Sequence, residues 1–276
     1  MGKISAVKNI IWAAGIVICL LALFIGLVTA MVNSYNAERE IPVVQLDSAA
    51  ESGTESKESK GFSLFSGKKA ADSGNEITAG ELNSPDKTKN AGEDYLSRIT
   101  FVCGAFSSSL QNAGIDSSCI WAGADGNLDG TKLEMSRIIY PLDSSEVSVI
   151  NGAMIAKPEI LAIMLSAEEL EGADSDSFIS GYESLINGII KASPETQILC
   201  CTVPVTATGS SAATVMSANE WLETVCTDCA VWYCDTASAV SADGLIKSEF
   251  SETGSTMINS DGFKEIFTWL ETHAVG

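Results

Sequence analysis

The chain has 276 residues, a formal charge of −20 and a single histidine. That length holds one or two domains, and so acidic a surface excludes binding to phosphate backbones, which takes clustered Lys and Arg. It also repels anionic headgroups and wall polymers unless cations intervene, and it accords with solubility outside a cell.

Residues 1–9 carry Lys3 and Lys8 and read as a short cytoplasmic N-terminus. Residues 10–32 form an uncharged apolar run of 23 residues, long enough to cross a bilayer core of about 30 Å as a helix. Glu38, Arg39 and Glu40 follow it, so the positive-inside rule places the remainder outside the membrane. Val28-Thr29-Ala30 offers the small residues of a cleavage site. A cleaved signal, however, has an apolar region of about 7–15 residues, so an uncleaved single-pass signal anchor is expected. Cys19 lies inside the run, which argues against lipid attachment through that thiol. The first 32 residues hold two lysines and no acids, leaving −22 for the rest.

Residues 33–93 are rich in Ser, Gly, Glu, Lys, Ala and Asp. Such a stretch buries too little apolar surface to offset chain entropy. It is expected to be a disordered linker with a root-mean-square span of about 40 Å.

Residues 95–276 read as a globular domain. Short apolar runs at Ile99–Cys103, Glu159–Leu165, Gln197–Val203 and Ala230–Tyr233 suit buried strands. Lys157-Pro158 disfavours helix just before the second run. Phe178, Tyr182, Leu185, Ile186 and Ile189 recur at helical spacing, and Ser193-Pro194 ends that helix. Asn219–Val225 and Phe263–Leu270 read as further amphipathic helices, the last starting near Asp261-Gly262. Strands alternating with helices predict an α/β fold, a doubly wound parallel sheet with helices on both faces.

Seven cysteines lie outside the apolar run, an odd number that cannot pair fully within one chain. Cys200 and Cys201 read as small buried hydrophobes. Cys226-Thr-Asp-Cys229 has the spacing of a redox pair or half a zinc site, but no second such pair and no nearby His completes a tetrahedral set. Plain thiols and a local disulfide both remain open. Asp125-Gly-Asn-Leu-Asp129 lacks the oxygen spacing of a calcium loop and reads as a turn. No phosphate loop or dinucleotide fingerprint occurs. No metal, no cofactor and no nucleic-acid partner is expected.

These segments, in order, resemble the SGNH/GDSL hydrolase family, especially its membrane-anchored extracytoplasmic members in Gram-positive bacteria. The resemblance rests on YLSRITFV at the first strand and KPEILAIMLSAEEL, similar to the family's KPxxxxIMLGxNEL. It continues through YESLINGIIKASPETQI, NEWLETVC and YCDT, and closes with ADGLIKSEFSETGSTMINSDGFKEIFTWLETHA. It implies a flavodoxin-like, three-layer SGNH domain preceded by one transmembrane helix and the linker.

The family's acyl transfer uses a Ser nucleophile, a His base, an Asp that orients it, and oxyanion donors. Carried over residue by residue, Cys103, Gly104 and Ala105 stand where Gly, Asp and the nucleophilic Ser belong. The third block's Gly and Asn, both oxyanion positions, fall on Ser166 and Glu168, a carboxylate that would repel an oxyanion. The Asp and His of the last block fall on Gly254 and Met257. The second block's Gly matches Gly123 or Gly126, and Asp235 and Asp243 match structural positions. No catalytic residue is therefore expected; Gly104, Ser107, Gly123, Glu168 and Met257 are the cleft-lining candidates. His273 matches the family's terminal THA, outside the triad.

The leading reading is a membrane-tethered, catalytically inactive domain that binds a cell-envelope glycan or a partner protein. An active serine esterase or O-acetyl hydrolase with relocated residues is the alternative, and it requires His273 within hydrogen-bond reach of a Ser such as Ser107. A passive envelope scaffold is the third.

Overall fold

In the computed structural model, residues 77–205, 210–252 and 257–276 are described. The apolar run at 10–32 and the linker up to residue 76 lie outside them. No described helix is long and apolar enough to cross a membrane.

The apolar runs become adjacent strands. β1 (Ile99–Cys103), β2 (Ile120–Gly123), β3 (Arg137–Ile139), β4 (Glu146–Ser148), β5 (Ile160–Met164), β6 (Gln197–Cys201) and β7 (Trp232–Cys234) form one sheet in the order β4-β3-β2-β1-β5-β6-β7. The pairings β2–β1, β1–β5, β5–β6 and β6–β7 are parallel, whereas β3 and β4 add on antiparallel. Counted alone, the parallel strands run second-first-third-fourth-fifth. This is the flavodoxin-like order, with its topological switch between β1 and β5. The α/β doubly wound expectation therefore holds for the described domain.

Alternation along each strand feeds two cores. Val102, Leu161, Ile163, Ile198 and Cys200 point into one, and Phe101, Cys103, Ala162, Met164, Leu199 and Cys201 into the other. The first core is covered by α2 (Val149–Ala156), α3 (Ser175–Ala192) and α4 (Ser210–Cys229); the second is covered by α1 (Ser107–Asn112) and α5 (Ser260–Thr272). A helical layer on each face buries every residue of β5, which explains why that strand reads as a continuous apolar run.

The direction of α5 matters for the site. Phe263 packs on Phe106 just past β1, Phe267 on Phe101 within β1, and the Val275 amide donates to the Tyr95 hydroxyl ahead of β1 at 3.0 Å. The helix thus runs antiparallel to β1. Its start lies at the carboxyl edge of the sheet and its end at the amino edge.

Several boundaries differ from those expected. Helix α4 continues to Cys229 and closes through Ala230, whose φ is 52°. The last strand accordingly starts at Trp232 and not at Ala230. The last helix is capped by Asn259, whose Oδ1 accepts the Asp261 and Gly262 amides at 3.1 and 2.9 Å. β3, β4 and α2 carried no expectation, because three-residue strands have too little periodicity to read. Helix α2 presents small Gly152 and Ala153 to the core rather than a large apolar stripe.

The folded body also begins earlier than the composition of residues 33–93 implies. Asn83 pairs in parallel with Trp232, its carbonyl accepting the Tyr233 amide at 2.8 Å. Its side chain bonds the Thr78 amide (2.6 Å) and the Thr78 and Glu81 carbonyls (both 2.9 Å). Thr88 and Ala91 donate their amides to Thr272 and Glu271 at the end of α5. Backbone pairing with β7 and α5 orders a segment that composition alone assigns to the linker. Replacing Asn83 with Ala is expected to lower the unfolding free energy by about 1–3 kcal/mol, since it removes the part-buried hydrogen bonds to the Thr78 and Glu81 backbone. Chemical denaturation of full-length and variant protein checks this.

Candidate functional site

The carboxyl edge at the β1/β5 switch is where folds of this order bind ligands. Here the loops after β1, β2 and β5 converge on one side chain. Glu169 sits on a 3₁₀ turn (Glu168–Leu170) after β5 and is only 5% exposed. Its Oε1 accepts the Leu128 amide at 2.6 Å and the Ala105 amide at 3.3 Å, and its Oε2 accepts the Ser166 amide at 2.7 Å. Its carbonyl also accepts the Gly130 amide at 3.0 Å. One residue thereby ties three loops together.

The glycines around it are dictated by this approach. A Cβ on Gly104 would overlap Glu169 Oε1 and stand 2.6 Å from the Leu128 nitrogen, and one on Gly130 would stand 2.5 Å from the Glu169 carbonyl oxygen. Gly123, the last residue of β2, faces the Asn127 backbone as closely. Gly126, at φ 81°, makes the turn between, and its amide bonds to the Gly123 carbonyl at 2.9 Å. The Asp125–Asp129 stretch is thus a turn that delivers Leu128 to Glu169.

Burial raises the Glu169 carboxyl pKa, and the amides of Ser166, Leu128 and Ala105 oppose it. The Cys103 thiol beneath is pushed up by its own burial and then by the Glu169 charge. It is held as a thiol and is a poor nucleophile.

The structure gathers most of the sequence-selected residues at this edge. Gly104 and Ala105 follow β1, Ser107 starts α1, Gly123 ends β2, Ser166 follows β5 and is 1% exposed, and Glu168 is exposed beside Glu169. Met257 lies three residues ahead of α5, at the same edge, partly buried against the core that α5 covers. Gly254 lies outside the described residues. Asp243 and Gly244, at φ 53° and 78°, are a two-residue hairpin turn between Ala242 and Leu245. Asp235 Oδ1 accepts the Thr202 hydroxyl at 3.3 Å.

His273 is placed elsewhere. It caps the C-terminal end of α5, its ring stacked on Trp269 with centroids 4.1 Å apart and its Nδ1 2.8 Å from the Trp269 carbonyl oxygen. That is the amino edge of the sheet. The five residues of β1 separate the two edges by about 13 Å of strand at 3.3 Å per residue.

Two hollows follow the carboxyl ends of other strands. One of about 240 Å³ lies after β2, beside Asp125, Asn127 and Arg137. The other, about 430 Å³, lies beyond β6 and β7 among Val203, Val205, Met216, Asp235 and Ser238. Among the described residues, no cluster of three or more His, Cys, Asp or Glu is arranged to hold a metal ion.

No protein-family model and no curated protein matches the chain. Among solved structures it is similar to a carbohydrate esterase family 3 protein from Talaromyces cellulolyticus, at 14% identity and TM-score 0.40, covering 63% of this chain and 93% of that one. It is also similar to the periplasmic domain of a lipopolysaccharide acetyltransferase from Salmonella ser. Paratyphi A, at 15% and 0.42, covering 67% and 84%. A family two carbohydrate esterase from Clostridium thermocellum gives 18% and 0.36, covering 71% and 58%. At such TM-scores the fold rests on the strand order, and no activity or site is carried over.

Because its carboxyl pKa is raised, Glu169 stabilises the fold most below its unfolded pKa, and that contribution is lost as pH rises through the folded value. Glu169→Gln exposes an amide NH₂ to buried N–H donors and is expected to cost about 2–4 kcal/mol near pH 4. The difference from wild type should shrink as pH rises, a trend read from urea titrations at several pH values. Gly104→Ala should destabilise at every pH.

Proposed function

We propose that this chain is a membrane-tethered, extracytoplasmic SGNH/GDSL-like domain that no longer performs acyl transfer and binds a cell-envelope glycan at the carboxyl edge of its sheet. The observation that carries the reading is the position of the sole histidine. His273 is held at the amino edge by Trp269, while Ala105 and Ser107 lie at the carboxyl edge. A base for any serine there would have to cross the sheet.

Other features support the same reading. Ala105 has no nucleophilic atom, Met257 stands at the base position, and Glu168 puts a carboxylate at an oxyanion position. The Ala105 amide, which an acyl-transfer enzyme would aim at the oxyanion, is directed at Glu169 instead. Tethering outside the cell rests on the apolar run at 10–32 and the preceding lysines. For the ligand, the hollow beyond β6 and β7 combines an apolar floor of Val203, Val205 and Met216 with the polar Asp235 and Ser238. That mixture suits the faces and hydroxyls of a sugar.

Nitrophenyl acetate and acetylated glycans should be turned over only at background. Triad members act as a unit, so Ala105→Ser should raise the rate by less than about 10-fold over that background. Turnover abolished by a serine-directed phosphonate contradicts the proposal. Binding of purified envelope glycans, followed by calorimetry, should be lost in Ser238→Trp, which fills the hollow. Binding that survives this change, or capture of an envelope protein with no glycan affinity, overturns the glycan assignment.

A further inference from the structure

Strand β6 carries two adjacent cysteines, and each meets a second thiol. Successive strand residues point to opposite faces, so Cys200 enters the core under α2, α3 and α4, while Cys201 enters the core under α1 and α5. Cys226 on α4 is fully buried in the same core as Cys200, its Sγ 3.9 Å from the carbonyl oxygen of Trp232 on the strand next to β6. Cys234, fully buried at the end of β7, is the register partner of Cys201, and both enter the same core. Neighbouring strands lie about 4.8 Å apart, inside the range of roughly 4.4–6.8 Å between the Cα atoms of a disulfide.

Other pairings are disfavoured. Cys200 and Cys201 face opposite sides of the sheet. Cys226 is fully buried and turns toward the sheet, its Sγ 3.9 Å from the Trp232 carbonyl oxygen, whereas Cys229, one turn on, is only half-buried, with Glu183 of α3 as well as Cys226 nearby. The C-x-x-C spacing that stands out in the sequence therefore splits between two neighbours.

The geometry points to Cys200–Cys226 and Cys201–Cys234 as two sites of disulfide formation, closed by a small-molecule disulfide and joining β6 to α4 on one face and to β7 on the other. In each, one thiolate attacks a sulfur of oxidised glutathione and expels a reduced glutathione, leaving a mixed disulfide. The second thiolate displaces the remaining glutathione. The two protons given up by the cysteine thiols pass to the two glutathione thiolates expelled, and the two electrons reside in the two glutathione thiols so formed. The neighbouring Cys226 thiol and then burial raise the pKa of Cys200, and burial raises that of Cys234, so exchange belongs to the folding or locally opened chain.

The full chain, refolded in detergent in glutathione redox buffers, is quenched with acid, alkylated with N-ethylmaleimide in denaturant and mapped by mass spectrometry. Two cross-linked peptides, Cys200–Cys226 and Cys201–Cys234, are expected, with about 4 Da lost from the protein itself. Cys19, Cys103, Cys119 and Cys229 should be alkylated, and Cys229→Ser should give the same two cross-links. A Cys226–Cys229 peptide, or alkylation of all eight cysteines at every glutathione ratio, overturns the proposal. One bridge without the other overturns it for the missing pair. If refolding yields only aggregate, the same mapping on natively purified chain incubated with oxidised glutathione decides.

Discussion

A single buried carboxylate organises the functional edge of this domain. Glu169 draws amides from the loops after β1, β2 and β5 onto two oxygens, at the point where a flavodoxin-like sheet reverses its winding. A carboxylate so enclosed is costly unless its lone pairs are filled. The same bonds satisfy loop amides that would otherwise be buried without partners. Gly104 and Gly130 follow from that constraint, because any side chain there would occupy the space of Glu169.

The consequence for chemistry is direct. The amide after β1 that could stabilise a developing oxyanion is already taken by the Glu169 carboxyl. No nucleophilic oxygen sits at Ala105, and the only imidazole of the chain caps a helix at the far edge. The strand order and the two cores bring Ala105 and Met257 to the carboxyl edge and leave His273 at the amino edge. The proposed binding without turnover rests on this arrangement, with the hollow beyond β6 and β7 as its proposed ligand site.

Much of the fold was legible before any coordinates. Parallel strands covered on both faces must be apolar throughout, and Ile99–Cys103 and Gln197–Cys201 appear in the sequence as such runs. The three-residue strands β3 and β4 left no period to detect. Asn83 was hidden because its role lies in backbone pairing with β7, which composition does not record. At the site, the motif order of the resemblance singled out Ala105 and Met257, and the fold brings both to the same edge. It passed over Glu169: its Glu-Leu matched the family pattern and drew attention to exposed Glu168 instead. Its decisive partners, Leu128 and Ala105, are 41 and 64 residues away in sequence.

The central claim is that Glu169 holds the three loops as one unit, and native-state hydrogen exchange tests it most directly. The amides of Ala105, Leu128 and Ser166 should exchange in wild type as slowly as those of β1 and β5, and all three should accelerate together in Glu169→Gln while the strand amides of β6 keep their protection. Exchange of these three amides in wild type at the rate of exposed loop amides would contradict the account.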